Sequence, residues 1–284
     1  MWTKRRTLPK SRSVMRQFSK MHGLGNDFVI LDARPQSGDP AVTMTPALAK
    51  ALADRHIGIG CDQLILIELS SVADVKMRIW NHDGGEVESC GNASRCVVAL
   101  TGAATIETAG GIVEGKSAGD EIEVTLPPPS FDWDAIPLAY TMDTAKLPMA
   151  WGLLEHPVAL SVGNPHLVFF VADTTAVDLA THGPAIEHDP AFPERINVNV
   201  ASVSDDGITL RTWERGTGLT LACGTGASAT AVAAIASRRA TSPVTVTMKG
   251  GSLTIGWAPG EPIAMRGSAT LVFTGSIDLD KFAA

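Results

Sequence analysis

The sequence predicts an α+β protein of two pseudo-symmetric domains, each a curved, mostly antiparallel sheet around a central helix, with the functional site in the cleft between them. Three observations carry that prediction. Residues 77–90, MRIWNHDGGEVESC, are repeated as residues 210–223, LRTWERGTGLTLAC. Arg78 aligns with Arg211, Trp80 with Trp213, Gly85 with Gly218 and Cys90 with Cys223, and both copies run on into Gly and then small and apolar residues. A second echo, in the same order, pairs Gly25-Asn26-Asp27-Phe28 with Gly163-Asn164-Pro165-His166. Finally, short β-like runs recur at roughly 8–12-residue spacing with few helical stretches between them.

Taken in order, residues 1–15 are a basic extension carrying Lys4, Arg5, Arg6, Lys10 and Arg12, expected to be disordered and followed by no apolar run of a secretory signal. The first domain is expected over 16–130, with a helix around 45–56 and strands at 75–80, 111–115 and 121–126. Pro127-Pro128-Pro129-Ser130 cannot sit inside a central strand or a helix, so it marks the crossing between domains. The second domain, 131–266, returns to the same grammar, with strands at 157–163, 166–172, 207–213, 243–249 and 252–257 around one Ala-rich helix. The run 269–279, ATLVFTGSIDL, is expected to cross back, so that about 267–284 complete the first domain.

Composition excludes several classes. With 45% hydrophobic residues the chain is no disordered polymer, and 5% aromatics give little to stack on bases. Twenty-three Lys and Arg against 30 Asp and Glu leave a net charge of −7, without the basic footprint of a nucleic-acid binder. No stretch approaches the ~20 continuous apolar residues of a membrane-spanning helix. Four cysteines, Cys61, Cys90, Cys96 and Cys223, are too few and scattered for a disulfide scaffold and lack the paired spacing of a zinc site, so a reducing cytoplasm is expected and no metal.

The chemistry gathers at two of those cysteines. Cys90 opens CGNASRC and Cys223 opens CGTGASA, each directly before a Gly and an expected helix. Free amides and the positive end of a helix N-terminus favour an anion and draw a thiol toward thiolate. A free cysteine is most often a small buried hydrophobe, and that reading suits Cys61 and Cys96. For Cys90 and Cys223 it would make the duplicated context an accident. Two equivalent thiols facing one another push their pKa values apart, one thiolate and one thiol. That pair suits removal of a proton from one face of a carbon and delivery to the other. It favours a two-base racemase or epimerase over a cysteine hydrolase.

The chain closely resembles the diaminopimelate epimerases. The resemblance rests on residues 20–28 (KMHGLGNDF), 60–63 (GCDQ), 81–84 (NHDG), 90–92 (CGN), 163–166 (GNPH), 195–198 (RINV), 213–216 (WERG) and 223–226 (CGTG). It implies cofactor-independent interconversion of LL- and meso-diaminopimelate, a homodimer, and Cys90 and Cys223 as the acid/base pair. By the same resemblance His166 polarises a cysteine and Glu214 lies near the cysteines and the reacting amine. Gly91, Asn92, Gly224 and Thr225 would cradle the reacting carboxylate. Asn26, Gln63, Asn81, Asn164, Asn197 and Arg215 would read the rest of the substrate, Arg215 as bidentate partner of the distal carboxylate.

This sequence departs from the family pattern at Ala93, where Gly is usual, at Ile196 and at Leu219, none of which removes an ionisable group. Other readings remain: the isomerase of phenazine biosynthesis would not need the cysteine pair, and a non-catalytic binding module would need no activated cysteines. A proline or hydroxyproline racemase would leave Asn164, Asn197 and Arg215 without a purpose, and a thiol redox protein would be expected to carry Cys-x-x-Cys.

Overall fold

The computed structural model describes residues 15–38 and 42–282, so the basic extension through residue 14 lies outside the described residues. The first half of the chain runs β1 (Met15–Gly23), β2 (Asn26–Asp32), α1 (Pro46–Ala53), β3 (Gln63–Glu68), β4 (Val75–Asn81), β5 (Glu86–Val87), α2 (Gly91–Thr101), β6 (Thr105–Thr108), β7 (Gly111–Ala118) and β8 (Glu121–Leu126). A small hairpin follows, β9 (Ala150–Trp151) and β10 (Leu154–Glu155). The same order then returns as β11 (Val158–Ser161), β12 (Pro165–Phe170), α3 (Leu179–Glu187), β13 (Asn197–Ser204), β14 (Gly207–Glu214), β15 (Gly218–Leu219), α4 (Gly224–Ala236), β16 (Val244–Met248), β17 (Gly251–Gly256) and β18 (Ile263–Gly267). One further strand, β19 (Thr270–Asp278), has no counterpart in the first half.

The pairings repeat with the elements. β1/β2, β3/β4, β6/β7 and β7/β8 are antiparallel, while β2/β3 and β4/β6 are parallel. The second half matches, with β11/β12, β13/β14, β16/β17 and β17/β18 antiparallel, β12/β13 and β14/β16 parallel. The halves join where their last strands meet: β8 runs antiparallel to β18, from Leu126 opposite Ile263 to Ile122 opposite Gly267. Antiparallel contact between equivalent elements is what a two-fold relation produces. Each tail then crosses. β19 pairs with β1 from Met15 opposite Asp278, and Ser130, just beyond β8, bridges to Ser161 at the end of β11.

Each sheet is covered on both faces, which is why its central strands read as unbroken apolar runs. In β2 and β3, Val29, Leu31, Leu64 and Leu66 pack under α1 with Leu48 and Leu52. Their alternates Phe28, Ile30, Ile65 and Ile67 face inward onto the core of α2. Correspondingly, Leu167, Phe169, Val198 and Val200 pack under α3. Helix α1 starts where Thr45 accepts the Leu48 N–H at 3.2 Å and Pro46 supplies a fixed φ in the first turn. Helix α3 lies outside the elements expected from the sequence, and it carries Gly183 and Pro184 within it. Asp178 caps it, and Gly183 is required there because a methyl group would lie 2.5 Å from the Trp213 ring.

Helices α2 and α4 lie inside, share one hydrophobic core and touch each other. In α4 every residue from Gly226 to Ala234 is buried, which its Ala, Ser, Thr and Gly side chains permit at close range. Met265 of β18 sits under both helix starts. A methyl group at Gly91 would lie 2.3 Å from its Cε, and one at Gly224 would lie 3.3 Å from its Sδ. Met265 is fully buried, so Met265→Ala is expected to destabilise the protein by about 2–5 kcal/mol. Denaturant unfolding checks this, and a loss below about 1 kcal/mol would show that the junction collapses to fill the space.

Candidate active site

The duplicated topology puts a cysteine at the N-cap of each inner helix. Cys90 precedes α2 with φ −152° and ψ 112°, and Cys223 precedes α4 with φ −121° and ψ 110°. Each carbonyl accepts the first helical bond, from Ser94 N and from Ala227 N, both at 2.9 Å. The Cys223 sulfur accepts the Gly226 N–H at 3.3 Å and lies 3.5 Å from Thr225 Oγ1. The Cys90 thiol points to Asn26 Oδ1 at 3.9 Å. The two helix starts are adjacent: a methyl group at Gly224 would lie 3.4 Å from Asn92 Oδ1.

The first half builds its side of the site from polar groups held by a charged network. Asn92 Nδ2 donates to Asn26 Oδ1 at 3.2 Å, and Asn26 Nδ2 donates to Asp62 Oδ2 at 3.2 Å. Asp62 is held by Arg55 at 2.7 Å, and Arg55 also grips Asp27, which Lys20 meets at 2.5 Å. Burial works against the Asp27 charge, but hydrogen bonds from Arg55 and Lys20 overcome it and keep the carboxylate ionised. Gln63 Nε2 donates to Asn81 Oδ1 at 2.9 Å, while the buried Gln63 Oε1 has no partner among the described residues.

The second half carries a directional chain of hydrogen bonds. Thr212 Oγ1 donates to Asn199 Oδ1 at 3.0 Å, and Asn199 Nδ2 donates to Leu167 O at 2.9 Å and to His166 Nδ1 at 3.1 Å. That fixes the proton of His166 on Nε2, which donates to Asn164 Oδ1 at 2.9 Å. The Asn164 amide is thereby turned so that Nδ2 reaches Thr225 Oγ1 at 3.4 Å, next to Cys223. Burial first, and then the charge of Arg215, push the His166 pKa down to about 3. His166 is thus held neutral between Asn199 and Asn164.

Glu214 is largely enclosed. Burial raises its pKa, opposed by the Thr220 hydroxyl that donates to Oε1. Burial also raises the thiols of Cys90 and Cys223, that of Cys223 well above its ordinary value with Glu214 as the next cause. Asn197 is buried, donating to Pro165 O at 2.8 Å and accepting the Arg215 N–H at 2.9 Å. It therefore positions the Arg215 loop, and the exposed Arg215 guanidinium donates to Glu194 O at 3.0 Å. Cys61 and Cys96 are buried, their thiols pushed up to about 11 and about 12 by burial. Among the described residues, no group of three His, Cys, Asp or Glu is placed to hold a metal ion.

The residues that sequence reasoning did not single out are Asp62, Arg95, Asn199, Thr212 and Met265. Only Asn199 left a signal, as a second amide two residues after Asn197 on the same face of the strand.

The sequence profile of the diaminopimelate epimerases matches residues 18–130 and 158–272, one segment in each half. The chain belongs to the diaminopimelate epimerase family. That membership puts it among the isomerases. Curated diaminopimelate epimerases from Rhizorhabdus wittichii and Sphingopyxis alaskensis are 62% and 60% identical over 94% of this chain, covering 97% and 98% of their own lengths. A hydroxyproline epimerase structure from Agrobacterium vitis, with bound trans-4-hydroxy-L-proline, aligns with a TM-score of 0.62 at 16% identity over 94% of this chain and 92% of its own. A probable proline racemase from Agrobacterium radiobacter gives 0.65 at 15%, over 94% of both. These likenesses show the two-domain fold.

The neutral His166 has a consequence for stability. Its folded pKa of about 3 lies below the ordinary 6.5, so between those values the unfolded chain binds more protons than the folded one. Its contribution is complete above pH 6.5 and is lost as pH falls toward 3. Denaturant midpoints from pH 7 to pH 4 are expected to fall more steeply for the parent than for His166→Gln. Parallel curves would show that the imidazole is not held neutral.

Proposed function

We propose that the protein interconverts LL- and meso-diaminopimelate without a cofactor, by two-base proton transfer at the α-carbon. The observation that carries this reading is the pair of equivalent cysteines at the N-caps of two helices that meet across the β8–β18 junction. One thiolate takes the α-proton, leaving the electron pair on the carbon and its carboxylate. The other thiol delivers its proton to the opposite face, and the two sulfurs exchange protonation states. The amides at Gly91-Asn92 and Gly224-Thr225 face the carboxylate on which charge develops, as an oxyanion hole does, and a closed site strengthens them.

In this reading Asn26, Gln63, Asn81, Asn164 and Asn197 read the rest of the substrate, and Arg215 meets the distal carboxylate. Glu214 is a base close to the reacting ammonium group. The product fits a cytoplasmic role in making lysine and peptidoglycan precursors. We further propose a homodimer, with β19 at the interface: it is an outer strand whose Leu271, Val272 and Phe273 are each about half exposed, 48–55%.

Freshly reduced protein, incubated with LL-diaminopimelate in deuterated water with no added cofactor, is expected to give meso product carrying deuterium at one α-carbon, read by NMR. Cys90→Ala and Cys223→Ala are each expected to lower turnover roughly 10²–10⁴-fold, the range of a general acid or base. Absence of exchange by folded, reduced protein would reject this substrate and turn attention to proline and hydroxyproline. Light scattering is expected to give twice the chain mass for the parent and the chain mass for Phe273→Asp. A monomeric parent would remove the dimer.

A further inference from the structure

One fully buried carboxylate has no part in the proton transfer. It belongs to Glu187, the last residue of α3. A carboxylate is costly to bury unless its oxygens are hydrogen-bonded, and both oxygens of Glu187 are used. Oε2 accepts the Trp213 Nε1–H at 2.7 Å, and Oε1 accepts the Gly216 N–H at 2.9 Å. Arg195, its side chain half exposed, brings Nη1 to 3.8 Å from Oε1. Trp213 and Gly216 stand on either side of Glu214-Arg215, so a single carboxylate brackets that pair.

Helix α3 serves this contact at a second point. Gly183 lies one turn before Glu187 on the same face, and its missing side chain lets the Trp213 ring press against the helix. Inside the bracket, the Arg215 N–H donates to Asn197 Oδ1 at 2.9 Å. The Arg215 guanidinium rests on Glu194 O at 3.0 Å, the carbonyl just before Arg195. Glu187 therefore joins the loop that carries Arg215 to the loop on which Arg215 rests. The first half closes the equivalent loop differently. Asp83 aligns with Gly216, and the Asp83 carboxylate accepts the Gly85 N–H at 2.8 Å, within its own loop. Both copies share the backbone closure, Gly84 N–H to Asn81 O at 2.9 Å and Thr217 N–H to Glu214 O at 3.0 Å. In the second copy, where the loop carries a long cationic side chain, the carboxylate comes from a helix instead.

We propose that Glu187 is a positioning residue for Arg215: its carboxylate fixes the backbone on both sides of Glu214-Arg215 and so sets how far the guanidinium stands from the two helix starts. This rests on the reading of Arg215 as partner of the distal carboxylate, and it adds to that reading a determinant of substrate length. A ligand with a carboxylate at each end is held productively only if the groups meeting its two ends keep a constant separation. Arg215 cannot keep it alone, because its side chain is long and exposed and has many rotamers to lose. Its constraint comes from the backbone beneath it, which Asn197 holds from one side and Glu187 from the other.

The first arm of the test uses reduced, ligand-free protein. Gly216 is an exposed turn residue, so slow hydrogen exchange at its amide reports the bond to Glu187. NMR is expected to find the Gly216 amide and the Trp213 indole N–H slow in the parent. Glu187→Gln offers one acceptor oxygen in place of two, and should speed exchange at one or both sites by about tenfold or more. The second arm uses turnover of LL-diaminopimelate. Glu187→Gln is expected to raise KM about tenfold and to leave kcat within about threefold. In an Arg215→Ala background the same substitution should change kcat/KM by less than about twofold, since it acts through the residue already removed. Fast exchange at Gly216 in the parent would overturn the proposal, as would a loss confined to kcat. Equal losses of kcat/KM in both backgrounds would also overturn it, leaving Glu187 a contribution to stability alone. If Glu187→Gln does not fold, Trp213→Phe removes one of the two donors and is expected to show the same dependence on Arg215. A parent that exchanges slowly at both sites yet turns over no diaminopimelate would reject the substrate and leave the bracket around Arg215 standing.

Discussion

Two helices can begin in contact with each other and with a strand only if the residues at the meeting point have almost no side chain. Gly91 and Gly224 meet that condition over Met265, and the organisation of the site depends on it. Because the helix starts lie so close, their free amides converge on one small volume, and the cysteines just before them are delivered to its edges. A methyl group at Gly91 would press on Met265, and one at Gly224 would press on Met265 and Asn92. The backbone at this junction is held in register by the β8–β18 pairing.

Around this junction the two halves have diverged in how they hold polar groups. The first uses fixed charge, an Arg55–Asp27–Lys20 and Arg55–Asp62 network that ends on Asn26. The second uses neutral hydrogen bonds, from Thr212 through Asn199 and His166 to Asn164. A neutral relay has one consistent direction of donation, so it can orient an amide without adding a field that would bias the thiol beside it.

Much of this was legible in the sequence. The repeat announced the two-fold plan, and the position of each cysteine before a Gly and a small-residue run announced both helix starts. The amide residues Asn26 and Asn164 stood out because they were themselves duplicated. Other features left no local trace. Arg95 reads as one of several polar residues in its helix, and its partners are Asn92 and Ser268, the latter 173 residues away. Met265 looks like any strand methionine until its two glycine neighbours are known. Helix α3 was concealed because Gly183 serves a close approach to Trp213 and only incidentally weakens the helix. Asn197, which the resemblance assigns to substrate, is held by Pro165 O and by the Arg215 N–H.

The crossed tails have a consequence for how the molecule is made. β1 at the beginning of the described chain takes β19 from its end as an outer neighbour, and β11 receives its bridge from Ser130, which follows the first half. Each half is therefore finished by a segment belonging to the other, an internal strand exchange. The β1–β19 contact spans nearly the whole chain, so loop-closure entropy must be overcome before it stabilises anything. The halves are expected to become native together, and a ribosome that has released only the first of them has released a sheet with an uncovered edge.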